Sequence, residues 1–116
     1  MTADNRLHDY LDHMRHAVAD ARSFVDGMGL AEFLDDKRAQ QAVVMSLIVL
    51  GEAGTKVMDR HADFATEHNP LPWRNLRGMR NRIAHGYFDI DLVVVWETVQ
   101  TALPSLADQL EQLKPG

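Results

Sequence analysis

Cysteine is missing from this chain of 116 residues, which excludes disulfides and thiolate metal sites and fits a reducing compartment. No apolar run approaches the roughly 18 residues of a membrane span. The first residues, Met1-Thr2-Ala3-Asp4-Asn5-Arg6, lack the basic stretch and hydrophobic core of an export signal, so a cytoplasmic protein without membrane contact is expected. Strand-like alternation, internal repeats and low-complexity tracts are also absent, which leaves helices as the regular structure. Basic charge is scarce: twelve Lys and Arg against seventeen Asp and Glu give a net charge of −5, the wrong sign for a protein that coats nucleic acid by neutralising many phosphates.

What is present suits one soluble globular domain over residues 1–116. With 46% hydrophobic and 25% charged residues the chain can bury a core. The acidic average conceals a segregated patch. Between Glu67 and Asp89 stand four arginines, Arg74, Arg77, Arg80 and Arg82, and no acid, leaving eight basic against seventeen acidic residues elsewhere. One arginine patch on an acidic body fits contact with a few phosphates, or docking of an acidic partner, better than a long electrostatic track.

Leu7, Tyr10, Leu11, Met14, Val18, Ala21, Phe24 and Val25 recur at three- and four-residue spacing, which predicts an amphipathic helix capped by Thr2 or Asp4 and ended by Gly27 and Gly29. A short helix is expected from about Leu30 to Leu34. Lys37 to about Met58 reads as the most apolar helix, one that needs more than one neighbour. A brief helix over Arg60 to Glu67 and a break at Pro70 and Pro72 follow, with Pro72 suited to the first turn of the next helix, Trp73 to Ala84. His85 falls at the frayed end of that helix, and Gly86 is placed to turn the chain at positive φ. Asp89 or Asp91 can cap a last helix running to about Leu113, which Pro104 should kink or split. The expectation is all-α, an antiparallel bundle of four to six helices.

The chemistry concentrates in Met79-Arg80-Asn81-Arg82-Ile83-Ala84-His85-Gly86-Tyr87-Phe88. Arginine can grip a phosphate through two parallel N–H bonds, and histidine can take and give a proton near neutrality. Phosphodiester cleavage needs both. Each residue also has a plainer reading. Arg80 could pair with an acid on a neighbouring helix, and His85 could complement a helix dipole. Tyr87 could pack with Phe88 and Trp96, Asn81 could bond nearby backbone or help cap the helix as well as orient His85 or a substrate phosphate, and Arg77 and Arg82 could be secondary phosphate contacts or solvated charge. Trp73 and Trp96 read as core. Glu52, an acid on an apolar helix, calls for a buried partner such as an arginine of the patch. Gly54, costly inside a helix, marks a bend or a close helix contact. Of the clustered histidines His8, His13 and His16, only His13 and His16 have the helical spacing of metal ligands, so no metal and no cofactor is expected.

The ordered series Phe33-Leu34, Gly51-Glu52-Ala53, Pro72-Trp73-Arg74, Gly78-Met79-Arg80-Asn81, R-x-x-x-x-H-x-Y, Trp96-Glu97 and Leu103-Pro104 resembles the HEPN superfamily and, within it, the small HepT toxins. The resemblance implies a homodimeric, metal-independent endoribonuclease acting on cellular RNA, with tRNA a plausible target. Arg80 would hold the scissile phosphate and His85 would serve as acid–base catalyst, the pairs of two copies meeting at the dimer interface. It also implies an MNT nucleotidyltransferase antitoxin that transfers AMP to Tyr87. A non-catalytic module that binds a nucleotide or docks the transferase is the alternative.

Overall fold

Apolar residues at helical spacing do form the first helix, α1 (Arg6–Phe24), which buries Tyr10, Leu11, Met14, Ala17, Val18 and Ala21. The computed structural model describes residues 6–113, so Thr2 and Asp4, the expected caps of α1, lie outside the described residues. Gly27 ends the connection after α1 at φ +78, the left-handed conformation in which a Cβ would be strained. A short α2 (Leu30–Leu34) follows, its start fixed by the Glu32 carboxylate accepting the Gly29 N–H at 2.8 Å. Phe33 of α2 is wholly buried.

The 24-residue α3 (Lys37–Arg60) begins where the Asp36 carboxylate accepts the Ala39 N–H at 3.0 Å, a cap that apolar spacing did not reveal. Val43, Leu47, Leu50 and Val57 are buried along it, each such aliphatic side chain contributing about 1.5–3 kcal/mol by leaving water. α3 packs against α1 on one side and against α5 (Trp73–His85) on another, which satisfies its broad apolar surface. In length and composition α3 could cross a membrane, although the sequence shows no unbroken run of that kind; 56% of its most apolar stretch is buried against its neighbours.

After α4 (Ala62–Glu67), the Trp73 indole N–H donates to the His68 carbonyl at 3.1 Å and ties the proline break to α5. Pro72 stands just before α5 rather than within its first turn, and its carbonyl accepts the Leu76 N–H at 3.0 Å. Gly86 departs from expectation more clearly. Its φ is −132, not positive, because the chain leaves α5 through a right-handed 3-10 turn, Tyr87–Asp89, closed by the Asp89 N–H on the Gly86 carbonyl at 2.8 Å.

Asp91, not Asp89, caps α6 (Leu92–Glu97), accepting the N–H groups of Val93 and Val94 at 3.0 and 3.3 Å. The last helix is split as Pro104 requires. A π-helical turn, Thr98–Ala102, widens the backbone just before α7 (Leu103–Glu111), which carries Pro104 in its first turn, where the missing N–H is least costly. Arg15 of α1 donates Nε and Nη2 to the Leu110 carbonyl at 3.3 and 3.2 Å and closes the end of α7. With α6, the π turn and α7 counted as one interrupted helix, the described residues form an all-α bundle of six helices and contain no strand.

Candidate active site on α5

Two glycines of α3 set how closely α5 approaches. A Cβ on Gly51 would lie 2.5 Å from the Cβ of Arg80 and 2.8 Å from the Leu76 carbonyl, and one on Gly54 would lie 3.1 Å from Leu76 Cδ1. Gly54 therefore marks a close helix contact. Gly51 is the tighter of the two, and its neighbour in the contact is the arginine of the motif. The backbones meet where Arg80 leaves its helix, so its side chain is laid along α3 from the first carbon.

That path ends at Glu52. Arg80 Nη1 donates to the Glu52 carboxylate at 2.7 Å, and Lys56 stands 3.8 Å from the other carboxylate oxygen. Glu52 thus has the arginine partner its setting called for, but the pair is not buried: the Glu52 side chain is 47% exposed and that of Arg80 25%. Glu52 occupies Nη1 alone. Nε of Arg80 is buried without a partner, and no hydrogen bond engages Nη2 among the described residues. One turn earlier, Arg77 is ion-paired with Asp59 of α3.

His85 occupies the last turn of α5 and is exposed, with no side-chain hydrogen bond among the described residues. It stands five positions along the helix from Arg80, which is about 140° around the axis and about 7.5 Å along it. Within one chain the two side chains do not bond to each other. Arg80 is turned to α3, and His85 faces outward with Asn81 and Arg82, both exposed. Arg82 lies over the helix surface at Gly78, where a Cβ would be 3.4 Å from its Nη1.

Tyr87, in the turn beyond His85, is 49% exposed and meets the edge of Phe88 with ring centroids 5.9 Å apart. Trp96 does not join them. It packs against Phe33 at 5.4 Å, inside the bundle. Trp73 is buried as expected, while Phe88, expected as a packing partner of Tyr87, is 98% exposed. Beneath this turn Leu47, Met79, Ile83 and Val95 line a cavity of about 330 Å³, with Arg82 and Asp89 also among its walls. No cluster of three or more metal-ligating side chains occurs among the described residues. The site therefore offers a held guanidinium, a free imidazole and an accessible phenol.

The family model described as "Ribonuclease HepT-like" matches residues 14–113. The chain belongs to the ribonuclease HepT-like family. It is 35% identical to the "Probable ribonuclease HepT" of Thermococcus cleftensis, an alignment covering 91% of this chain and 94% of that protein. It is also 33% identical to "Putative RNase MJ0127" of Methanocaldococcus jannaschii, covering 92% of this chain and 83% of the relative. "Putative RNase TTE0752" of Caldanaerobacter subterraneus is 30% identical, with 90% of each chain covered. No solved structure matches. Membership over nearly the whole chain gives the motif on α5 a ribonuclease context at the level of the family.

Proposed function

We propose that this HepT-like protein is an endoribonuclease that cleaves cellular RNA, tRNA included, without a metal, as a homodimer whose Arg80 and His85 side chains converge across the twofold axis. The observation that carries this reading is the exposed, unbonded imidazole of His85 at the end of α5, in a chain whose family is one of ribonucleases. His85 of one copy takes the proton of a ribose 2′-OH. The 2′ oxygen attacks the adjacent phosphorus, the bond to the 5′ oxygen breaks, and the leaving oxygen receives a proton from the His85 imidazolium of the second copy. The products are a 2′,3′-cyclic phosphate and a 5′-hydroxyl end. Arg80 stabilises the charge that builds on the non-bridging oxygens through Nη2, which Glu52 leaves open, while Arg77, Asn81 and Arg82 make secondary phosphate contacts. A single imidazole is poorly suited to be base and acid in one step, which is the reason for a two-copy site.

Restraint of the activity would fall to an MNT-type nucleotidyltransferase that transfers AMP to the Tyr87 hydroxyl. Support comes from its position: a half-exposed phenol on a turn two residues past His85 can enter a partner's active site, and the phosphate left there would repel a substrate phosphate.

Total RNA incubated with the wild type, Arg80→Ala and His85→Ala in the presence of a chelator tests the nuclease. Cleavage by the wild type alone, with a rate that passes through a maximum in pH, is expected. RNA surviving equally with all three proteins would remove the reading and leave the alternative that Arg80, already neutralised by Glu52, belongs to a nucleotide-binding or transferase-docking module. For the tyrosine, mass analysis after co-expression with an adjacent nucleotidyltransferase should show AMP-sized additions that disappear in Tyr87→Phe; an unmodified Tyr87 would remove the switch.

A further inference from the structure

A hollow of about 480 Å³ opens at the end of α5 remote from His85. Met58 and Trp73 contribute to its apolar wall, and Thr66, Asn69, Arg74 and Asn75 stand around it. All four polar side chains are exposed, and none makes a hydrogen bond or ion pair among the described residues. No acid lines the hollow, although acids outnumber bases in the chain as a whole; Asp63 and Glu67 of α4 lie outside its lining. Arg74 is thus unlike Arg77 and Arg80, which are ion-paired with Asp59 and Glu52 of α3.

Arg74, Asn81 and His85 follow one another at seven and four residues, so they share one face of α5, with the Arg82 guanidinium lying over Gly78 between them. From Arg74 to His85 the helix rises about 16 Å. A strand with about 3.4 Å per stacked nucleotide covers that distance in about five nucleotides, and an unstacked one in fewer. A cation without an acid, an apolar wall, and amides offering both donors and acceptors are the elements by which single-stranded RNA is held: phosphate on the arginine, base against the wall, base edge on the amides. A duplex would not fit, since its bases are stacked and cannot enter.

We propose that this hollow is a second RNA subsite, which seats one unstacked nucleobase up to about five nucleotides from the cleaved bond, with Arg74 on its phosphate and Asn69 and Asn75 on its edge. It rests on the ribonuclease reading for its substrate class, and it is tested by binding rather than by cleavage. The probe is a set of fluorescent oligoribonucleotides, three to eight residues long and 2′-O-methylated throughout, so that no 2′-OH is present to attack. Anisotropy with the wild type should show affinity rising about tenfold as the length passes five residues, the magnitude of one seated base. Arg74→Gln should lose that gain and reduce the slope of log affinity against log salt by about 0.7, the value for one phosphate of a single strand. Asn75→Ala should lose part of the gain with the slope unchanged.

No gain with length in the wild type, or a gain and slope that survive in Arg74→Gln, overturns the subsite. So does a change of oligomeric state in Arg74→Gln on sedimentation, which would assign the hollow to contact between copies. The two readings fail separately. A length-dependent gain in a protein that cuts no RNA leaves the subsite and removes the nuclease, whereas cutting without the gain does the reverse.

Discussion

The two flanks of α5 carry the same kinds of side chain and use them differently. On the flank against α3, Arg77 and Arg80 are ion-paired with Asp59 and Glu52, and Gly51 lets the backbones close to a distance that excludes a Cβ. On the outward flank Arg74, Asn81, Arg82 and His85 are exposed and unpaired among the described residues. Surface ion pairs of this exposure contribute little to stability, about 0–1 kcal/mol each. In the proposed reaction the inner pairs would supply direction, since an arginine fastened at one nitrogen has lost most of the freedom that would otherwise oppose an ordered contact with phosphate. The outer flank keeps its groups available. One helix thus divides positioning from accessibility across its width.

The sharpest way to break that division is Arg80→Lys. An ammonium preserves the charge and a contact with Glu52, so the fold and its melting temperature should hold. It cannot present a second planar N–H arm to the phosphate, and kcat on RNA should fall about a hundredfold, in the range seen when one donor to a developing oxyanion is removed. Turnover near the wild-type value would show that charge alone suffices and that the held fork is irrelevant.

Gly51→Ala attacks the inner flank itself. In an ordinary helix interior the change stabilises by about 1 kcal/mol. Here the new methyl meets Arg80 Cβ and the Leu76 carbonyl, neither of which can swing away, so α5 must move off α3. A loss of about 2 kcal/mol is expected, seen as a fall in Tm of about 8 °C. The sign is the test: a Tm that rises would mean the helices have room and that Arg80 is not guided by a tight contact.

Much of this helical layout was legible because it depends on residues close in sequence. The spacing of Leu7 to Val25 gave α1, the turn at Gly27 took its positive φ, and Pro104 did interrupt the last helix. Glu52 stood out as an acid on an apolar helix, and it holds an arginine. What could not be read depends on the register of α3 against α5, set by packing over some thirty residues of intervening chain. Nothing local distinguishes Arg80 from Arg77 as the partner of Glu52, or makes Gly51 the tighter glycine rather than Gly54. Gly86 misled for a related reason: a glycine after a helix suggests a left-handed residue, but the following 3-10 turn satisfies its carbonyl without one. The π turn and the exposure of Phe88 likewise follow from how the last helix seats on the others.

Glu52→Gln produces the smallest change in stability and separates direction from charge most finely. The amide oxygen can still accept from Arg80 Nη1, while the ionic attraction to Arg80 and Lys56 is lost. Because the carboxylate is about half exposed, solvent already screens the pair, and the expected cost is under about 0.5 kcal/mol, a shift in Tm of about 2 °C or less. Turnover should fall several-fold with KM little changed, since an arginine held more loosely still meets substrate but spends less time aligned with the reacting phosphate. Glu52→Ala, which removes the acceptor altogether, should fall further at a similar Tm. If both variants cleave RNA as the wild type does, the Glu52 contact is an ordinary surface pair and the alignment of Arg80 comes from Gly51 alone.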